Sequence, residues 1–329
     1  QYKLKKIKPS TYKRKSDTLK QIAKESFANK PITKVAREDV VNYLSKIVNY
    51  SQSTIKQNYE LLCMGFADAK YQGKIKEKFM EGYKRVEKPK SEYESKERKS
   101  LTIQEEKTLA QYLNTISYEK CPNKYLFLLL LITGMRIGEA LTLDYEKDIN
   151  LEENTIDMKR TLTKDIHGKV TIGETTKTDC GRRIIKMNAI SRQIIEKALE
   201  HSIKNKNHLL FCQKNGKMHI ENSINSCLKR IAIKLDIGIY DDINKAGKKV
   251  KNTDVHTHML RGTFATRCAE AKIAPIVLKQ ILGHKDIETT MKYYIDVDTE
   301  FIQSETDNAI QYLVDKKIFG VELPESNVA

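Results

Sequence analysis

The chain has 329 residues, 40% apolar and 31% charged, and carries a net charge of +16 with a pI near 9.3. Its length favours two domains over one, and its composition excludes intrinsic disorder. The basic excess points to a polyanion, with nucleic acid ahead of anionic lipid, because lysines and arginines gain free energy by displacing the counterions condensed on phosphates.

The excess is regional: residues 1–100 hold 25 Lys+Arg against 12 Asp+Glu, a net of +13. The longest apolar run, residues 125–132, is far short of the ~20 residues that span a bilayer, which predicts a soluble protein without a membrane partner. The chain begins without Met and without a signal-like apolar segment, so an upstream domain is expected, and the protein is predicted to be cytoplasmic. The six cysteines (Cys63, Cys121, Cys180, Cys212, Cys227 and Cys268) form no CxxC pair and read as buried thiols without a function.

From Pro9 to about Gly73 the pattern is helical. Ser10 or Thr11 is placed to cap a first helix running to Phe27, and Glu38 and Asp39 sit where a second begins. A third carries Ile55, Tyr59, Leu62, Cys63, Phe66 and Ala69 on one stripe. The leading cations Lys3, Lys5, Lys6, Lys8, Lys13, Arg14 and Lys15, with Tyr12, suit contact with a phosphate backbone, although the run also reads as a solvated face.

The polar stretch 86–100, which contains Pro89, reads as an extended interdomain connection, with the linker set at 91–100 between a helical domain (1–90) and a second domain (101–298), followed by a tail helix (299–329). Thr102 with Glu105 forms a capping box that opens the second domain. The run 125–132 reads as a central helix stopped by Gly134. Between 155 and 187 the β-branched segments TIDMKRTL, KVTIG and RRIIKM predict a three-stranded antiparallel sheet, after which helix returns at 189–203, 221–235, 257–272, 275–282 and 299–315. The fold class is therefore mainly α with a small antiparallel sheet.

Four segments of the second domain carry chemistry: Thr133-Gly-Met-Arg-Ile-Gly-Glu-Ala-Leu-Thr-Leu143, Thr176-Lys-Thr178, His258-Met-Leu-Arg261, and Leu282-Gly-His284 followed by Thr289-Thr-Met-Lys-Tyr293. They are rich in Arg, His and Lys rather than in acidic metal ligands, so basic side chains are expected to meet any phosphate, with no metal or other cofactor. His258 and Arg261, three apart, share one helical face.

In this order and spacing the segments resemble the tyrosine recombinase (integrase) family, among them the integrases of phages and conjugative transposons, along most of residues 102–298. The leading helical region resembles the family's core-binding domain more loosely. The resemblance implies a two-domain clamp on double-stranded DNA, holding attachment or crossover sites, and site-specific cleavage and rejoining through a 3′-phosphotyrosine for integration and excision of a mobile element, without metal or ATP. By that resemblance Arg136 and Arg261 donate to the scissile phosphate, His284 adds a donor, and His258 assists proton movement at the nucleophile Tyr293. Lys177 protonates the departing 5′ oxygen, and Glu139 orients a neighbouring cation. It further implies a bacterial, nucleoid-associated setting, a tetramer on two duplexes, accessory DNA-bending or excision factors, and a tail that docks on a neighbouring subunit, although the tail's apolar residues equally fit packing on its own domain.

Tyr294 competes with Tyr293, and Lys164, Lys169 and Lys186 compete with Lys177. Gly262 departs from the family's pattern, which places a histidine after the second arginine. A type IB topoisomerase and a catalytically weak DNA-binding regulator remain the alternatives.

Overall fold

The structure is a computed structural model that describes residues 7–76, 88–92, 100–165, 167–173, 182–243, 247–294 and 299–316. Its class is mainly helical with small antiparallel sheets. The chain divides into two compact units, one of residues 1–98 with 161–173, the other of residues 99–160 and 174–329.

The first unit holds α1 (Pro9–Ile22), α2 (Arg37–Lys46) and α3 (Gln52–Tyr71). Lys8, rather than Ser10 or Thr11, is the N-cap of α1, because Pro9 takes the first helical position, where its fixed φ suits a helix start and its missing N–H costs nothing. This helix ends at Ile22 instead of reaching Phe27, which lies in a short 3-10 turn, Ser26–Asn29. Asp39 starts α2 by accepting the Ala36 backbone N–H at 2.8 Å. The core collects Ile22, Phe27, Val40, Tyr43, Leu44, Ile55 and Phe66. A deep polar pair in it is satisfied internally: the Tyr43 hydroxyl donates to Asn58 Oδ1 at 2.6 Å.

In the second unit α4 (Ile103–Thr115) opens on the expected capping box, Thr102 and Glu105 exchanging side-chain and backbone hydrogen bonds at 2.8 and 3.2 Å. The next helix, α5 (Lys124–Thr133), is the hub of the core. Leu126, Phe127, Leu129 and Leu130 are wholly buried. Burial of this kind is worth ~1.5–3 kcal/mol per side chain before entropy is charged. After α6 (Ile137–Ala140) the chain continues through β1 (Ile149–Asn150), β2 (Thr155–Met158), β3 (Thr161–Lys164), β4 (Val170–Gly173) and β5 (Arg183–Lys186), of which β3 and β4 belong to the first unit.

The three-stranded sheet is ordered β1-β2-β5 and does not have the expected membership. TIDMKRTL breaks in two at Lys159 and Arg160, where the Arg160 guanidinium is held by Asp148 at 2.5 Å. TLTK then pairs with VTIG as a separate hairpin, Leu162 opposite Ile172. Asp165 fixes that turn by accepting from the backbone of His167 and Lys169, at 2.9 and 2.8 Å. β2 pairs instead with β5, Ile156 opposite Ile185 and Met158 opposite Arg183.

Beyond the sheet lie α7 (Ala189–Glu200), α8 (Glu221–Lys234), the hairpin β6 (Ile239–Ile243) and β7 (Lys249–Thr253), α9 (Thr257–Glu270), α10 (Pro275–Leu282), α11 (Ile287–Met291) and α12 (Thr299–Asp315). The β6–β7 hairpin was not expected from the sequence; its face is largely exposed, so it lacks the apolar alternation that reveals a half-buried strand. No helix among the described residues is long and apolar enough to cross a membrane. Of the five cysteines described as free, Cys121 and Cys268 are buried and the other three half-buried, while Cys180 lies outside the described residues.

Candidate active site

The site begins where the apolar helix α5 stops. Gly134 caps it at φ +61°, a left-handed conformation that residues with a Cβ adopt at a cost. Space demands glycine as well: a Cβ would lie 2.3 Å from Phe264 Cδ1 and 3.0 Å from Leu282 Cδ2. This tight turn sets Arg136 at the N-cap of α6.

Glu139, one turn on, folds back to Arg136. Its Oε2 accepts the Arg136 backbone N–H and its Oε1 accepts from Arg136 Nη1, both at 2.8 Å. The Glu139 side chain is wholly buried while that of Arg136 remains 36% exposed. Burial alone would raise the Glu139 carboxyl, but the hydrogen bonds and charge of Arg183, and then of Arg136, outweigh it and hold the group ionised below its ordinary value.

A second arginine comes from α9. Arg261 is 1% exposed, and donates from Nη1 to the Gly134 carbonyl at 2.9 Å and from Nη2 to the Leu282 carbonyl at 2.7 Å. Burial and then the neighbouring Arg136 charge push it down to about 9, still above neutral pH, so the guanidinium stays charged. Arg183 at the start of β5 supplies a third guanidinium, its Nε donating to the Ile281 carbonyl at 2.7 Å.

The end of α10 is what gathers these cations. The carbonyls of Ile281, Leu282 and Gly283 accept from Arg183, Arg261 and Arg136 in turn, the last at 3.0 Å. Helix-terminal carbonyls lack intrahelical donors and lie at the negative end of the helix dipole, so three positive forks satisfy both. Gly283 closes the helix at φ +65° and delivers His284 directly behind it.

His284 is 7% exposed, and its Nδ1 lies 2.9 Å from the Thr290 hydroxyl. Burial, and then the positive charges of Arg261, Arg136, His258 and Arg183, push it down to about 4, so the ring is neutral at pH 7. When Thr290 donates to Nδ1, the ring proton sits on Nε2 as a donor. His258, on the first turn of α9, is exposed.

Tyr293 and Tyr294 follow α11 and differ in their surroundings. The Tyr294 hydroxyl donates to the Ile273 carbonyl, and its ring is 8% exposed in the cluster with Ala265, Cys268, Leu278 and Leu282. Tyr293 packs at the edge of that cluster; burial raises its phenol, and the charge of Arg261 opposes the rise. Arg261 thus favours the phenolate of Tyr293.

The structure therefore brings Arg136, Glu139, Arg261, His258, His284 and Tyr293 into one neighbourhood. Lys177 lies outside the described residues, as do Lys3, Lys5 and Lys6. Lys164 and Lys169 are exposed on the β3–β4 hairpin of the first unit, and Lys186 is exposed at the end of β5. Lys8, Tyr12 and Arg14 are exposed on or beside α1, and Lys13 pairs with Asp17 at 2.9 Å. Gly262 is buried within α9. Arg183 escaped the sequence reading, where it stood only within the strand segment RRIIKM. Among the described residues no cluster of three or more His, Cys, Asp or Glu could hold a metal ion.

A model of the phage integrase family matches residues 99–300. The transposase of transposon Tn916 from Enterococcus faecalis is 30% identical over 200 residues, covering 58% of this chain and 46% of that protein. Tyrosine recombinase XerA from Saccharolobus solfataricus is 28% identical over 268 residues, covering 81% and 76%. The chain spans about half the length of the curated transposases it matches. Among solved structures, the Tn1549 transposon integrase in complex with circular intermediate DNA superposes with a TM-score of 0.73 at 21% identity, covering 94% of this chain and 96% of that one. A lambda integrase dimer bound to a core site gives 0.59 at 15% identity, covering 89% and 73%. These two likenesses concern the fold alone.

Proposed function

The chain belongs to the phage integrase family, and from that membership and the arginine-lined turn after α10 we propose that it is a site-specific DNA recombinase of the conjugative-transposon type. The observation that carries this reading is the convergence of Arg136 and Arg261 on adjacent carbonyls of one helix end, with neutral His284 next in the chain and the Tyr293 phenol within the field of Arg261.

The chemistry follows from the groups. Arg136 and Arg261 offer planar N–H forks to the nonbridging oxygens of a phosphodiester, where charge grows in the transition state, and neutral His284 adds an Nε2–H donor. Tyr293 Oη attacks phosphorus and gives its proton to His258; the bond from phosphorus to the 5′ oxygen breaks, and that oxygen takes a proton from Lys177. Glu139 orients Arg136. The resulting 3′-phosphotyrosine retains the energy of the broken ester, so another strand's 5′-hydroxyl reseals it without ATP.

The partner is double-stranded DNA at attachment or crossover sites, held by the domain of residues 1–90 through Lys8, Tyr12, Lys13, Arg14 and Lys15, with Lys3, Lys5 and Lys6 before them, and by the catalytic domain of residues 101–298. Exchange between two duplexes calls for four protomers, coupled by the tail from residue 299, whose Ile310 and Tyr312 are exposed. Integration and excision of a mobile element, assisted by DNA-bending or excision factors, is the biological role this implies.

The test is incubation with a pool of singly nicked duplexes of randomised sequence, followed by denaturation and sequencing of any DNA still bound to protein. A covalent adduct mapping to Tyr293 is expected, and joined heterologous strands in a branched junction follow from it. Relaxed plasmid without strand joining would select the topoisomerase alternative, and binding without an adduct would select the regulator.

A further inference from the structure

Resting on the recombinase reading above, we propose that Arg183 is a positioning residue, which shares the Glu139 carboxylate with Arg136 so that Arg136 keeps charge and donors for the scissile phosphate.

The carboxylate is where the two arginines meet. Oε1 of Glu139 accepts from Arg136 Nη1 at 2.8 Å and Arg183 Nη1 at 3.2 Å, and Oε2 accepts from the Arg136 backbone at 2.8 Å and Arg183 Nη2 at 3.0 Å. A buried carboxylate facing Arg136 alone would form a self-neutralising pair that draws the Arg136 N–H groups to itself, and a phosphate would then have to compete with it for them. With Arg183 added the trio carries one net positive charge.

The two arginines are spent differently. All three nitrogens of Arg183 are engaged with the protein, Nε on the Ile281 carbonyl and both Nη on Glu139, and its side chain is 8% exposed. Arg136 gives one Nη to Glu139 and the other to the Gly283 carbonyl, and is 36% exposed. Each Nη carries two hydrogens, so Arg136 retains unspent N–H groups on its open side. Arg183 also ties β5 to the end of α10, two residues before the carbonyl that holds Arg136. Position is thereby transmitted from strand to helix end to phosphate-facing arginine without Arg183 touching the substrate.

The experiment follows adduct formation on the same nicked duplex pool by the unsubstituted chain, Arg183→Met and Arg183→Lys, at saturating and subsaturating protein, with thermal melting of each. Arg183→Met is expected to lower the saturated rate about 10²-fold, the scale of a displaced reacting group, while duplex affinity changes less than about threefold. Arg183→Lys restores the charge without the fork and is expected to recover about tenfold of that loss. An Arg183→Met rate equal to the unsubstituted chain overturns the proposal alone. So does a loss of rate that parallels loss of affinity and of folded protein in both variants, since Arg183 would then only hold the fold. Absence of an adduct from the unsubstituted chain overturns the recombinase reading and the proposal with it.

Discussion

Arg261 donates to the carbonyl of Gly134, 127 residues earlier in the chain, at 2.9 Å. A fully buried charge of the site is thus fastened to the glycine turn that ends α5, and disturbing either end should reach the other.

Gly134→Ala tests this from the turn. The left-handed φ and the clash with Phe264 together should cost about 2–4 kcal/mol of unfolding free energy, read by urea denaturation. Adding Phe264→Leu should return part of that loss, because the ring is removed while the backbone strain stays. A Gly134→Ala chain as stable as the parent would show that the turn does not need glycine.

The adjacent tyrosines should separate cleanly. Tyr293→Phe should abolish the covalent DNA adduct and leave duplex affinity within about twofold, since removing a nucleophile removes chemistry and little binding. Tyr294→Phe should keep the adduct and lower the melting temperature, because the Ile273 carbonyl loses its donor. Equal loss of adduct in both variants would deny Tyr293 its separate role.

His284 makes stability depend on pH. Its pKa falls from 6.5 unfolded to about 4 folded, so between these values the unfolded chain binds the extra proton. The stabilisation is complete above pH 6.5 and drains away as pH falls toward 4, by about 3 kcal/mol in total. Urea titrations at pH 7 and pH 4.5 should show His284→Asn losing much less stability on acidification than the parent. Parallel losses would mean that the imidazole is not held neutral.

Contact between α1 and DNA has an ionic-strength signature. Replacing Lys8 and Arg14 by Ala should flatten the plot of log affinity against log salt by about one unit per phosphate contact removed. An unchanged slope in fluorescence anisotropy titrations would place the duplex elsewhere.

Much of the fold was legible because its signals are local. The apolar run of α5 needs burial on all sides, and Thr102 with Glu105 writes a helix start within four residues. The sheet was misassigned because strand membership is a pairing decision: KVTIG satisfies the ladder of TLTK as well as any other edge, and Arg160 pulls the chain out of β2 to reach Asp148. The site was legible only as motifs in order. What spacing could not express is that three successive carbonyls hold three arginines, and Arg183 passed unnoticed for that reason. Its partners are Glu139, 44 residues before it, and Ile281, 98 residues after it.

The last turn of α10 has a consequence for the newly made chain. Until residue 283 has been synthesised and packed, Arg136, Arg183 and Arg261 lack the carbonyls that aim them, and the contacts that supply those carbonyls close loops as long as 147 residues. Such loops form late because closing them costs entropy that only the finished core repays. A ribosome-bound or half-unfolded copy therefore carries the three arginines without the arrangement of the proposed site, and fraying of this single turn releases all three from the carbonyls that aim them. On the recombinase reading, the competence to cleave DNA is thereby made conditional on completed folding.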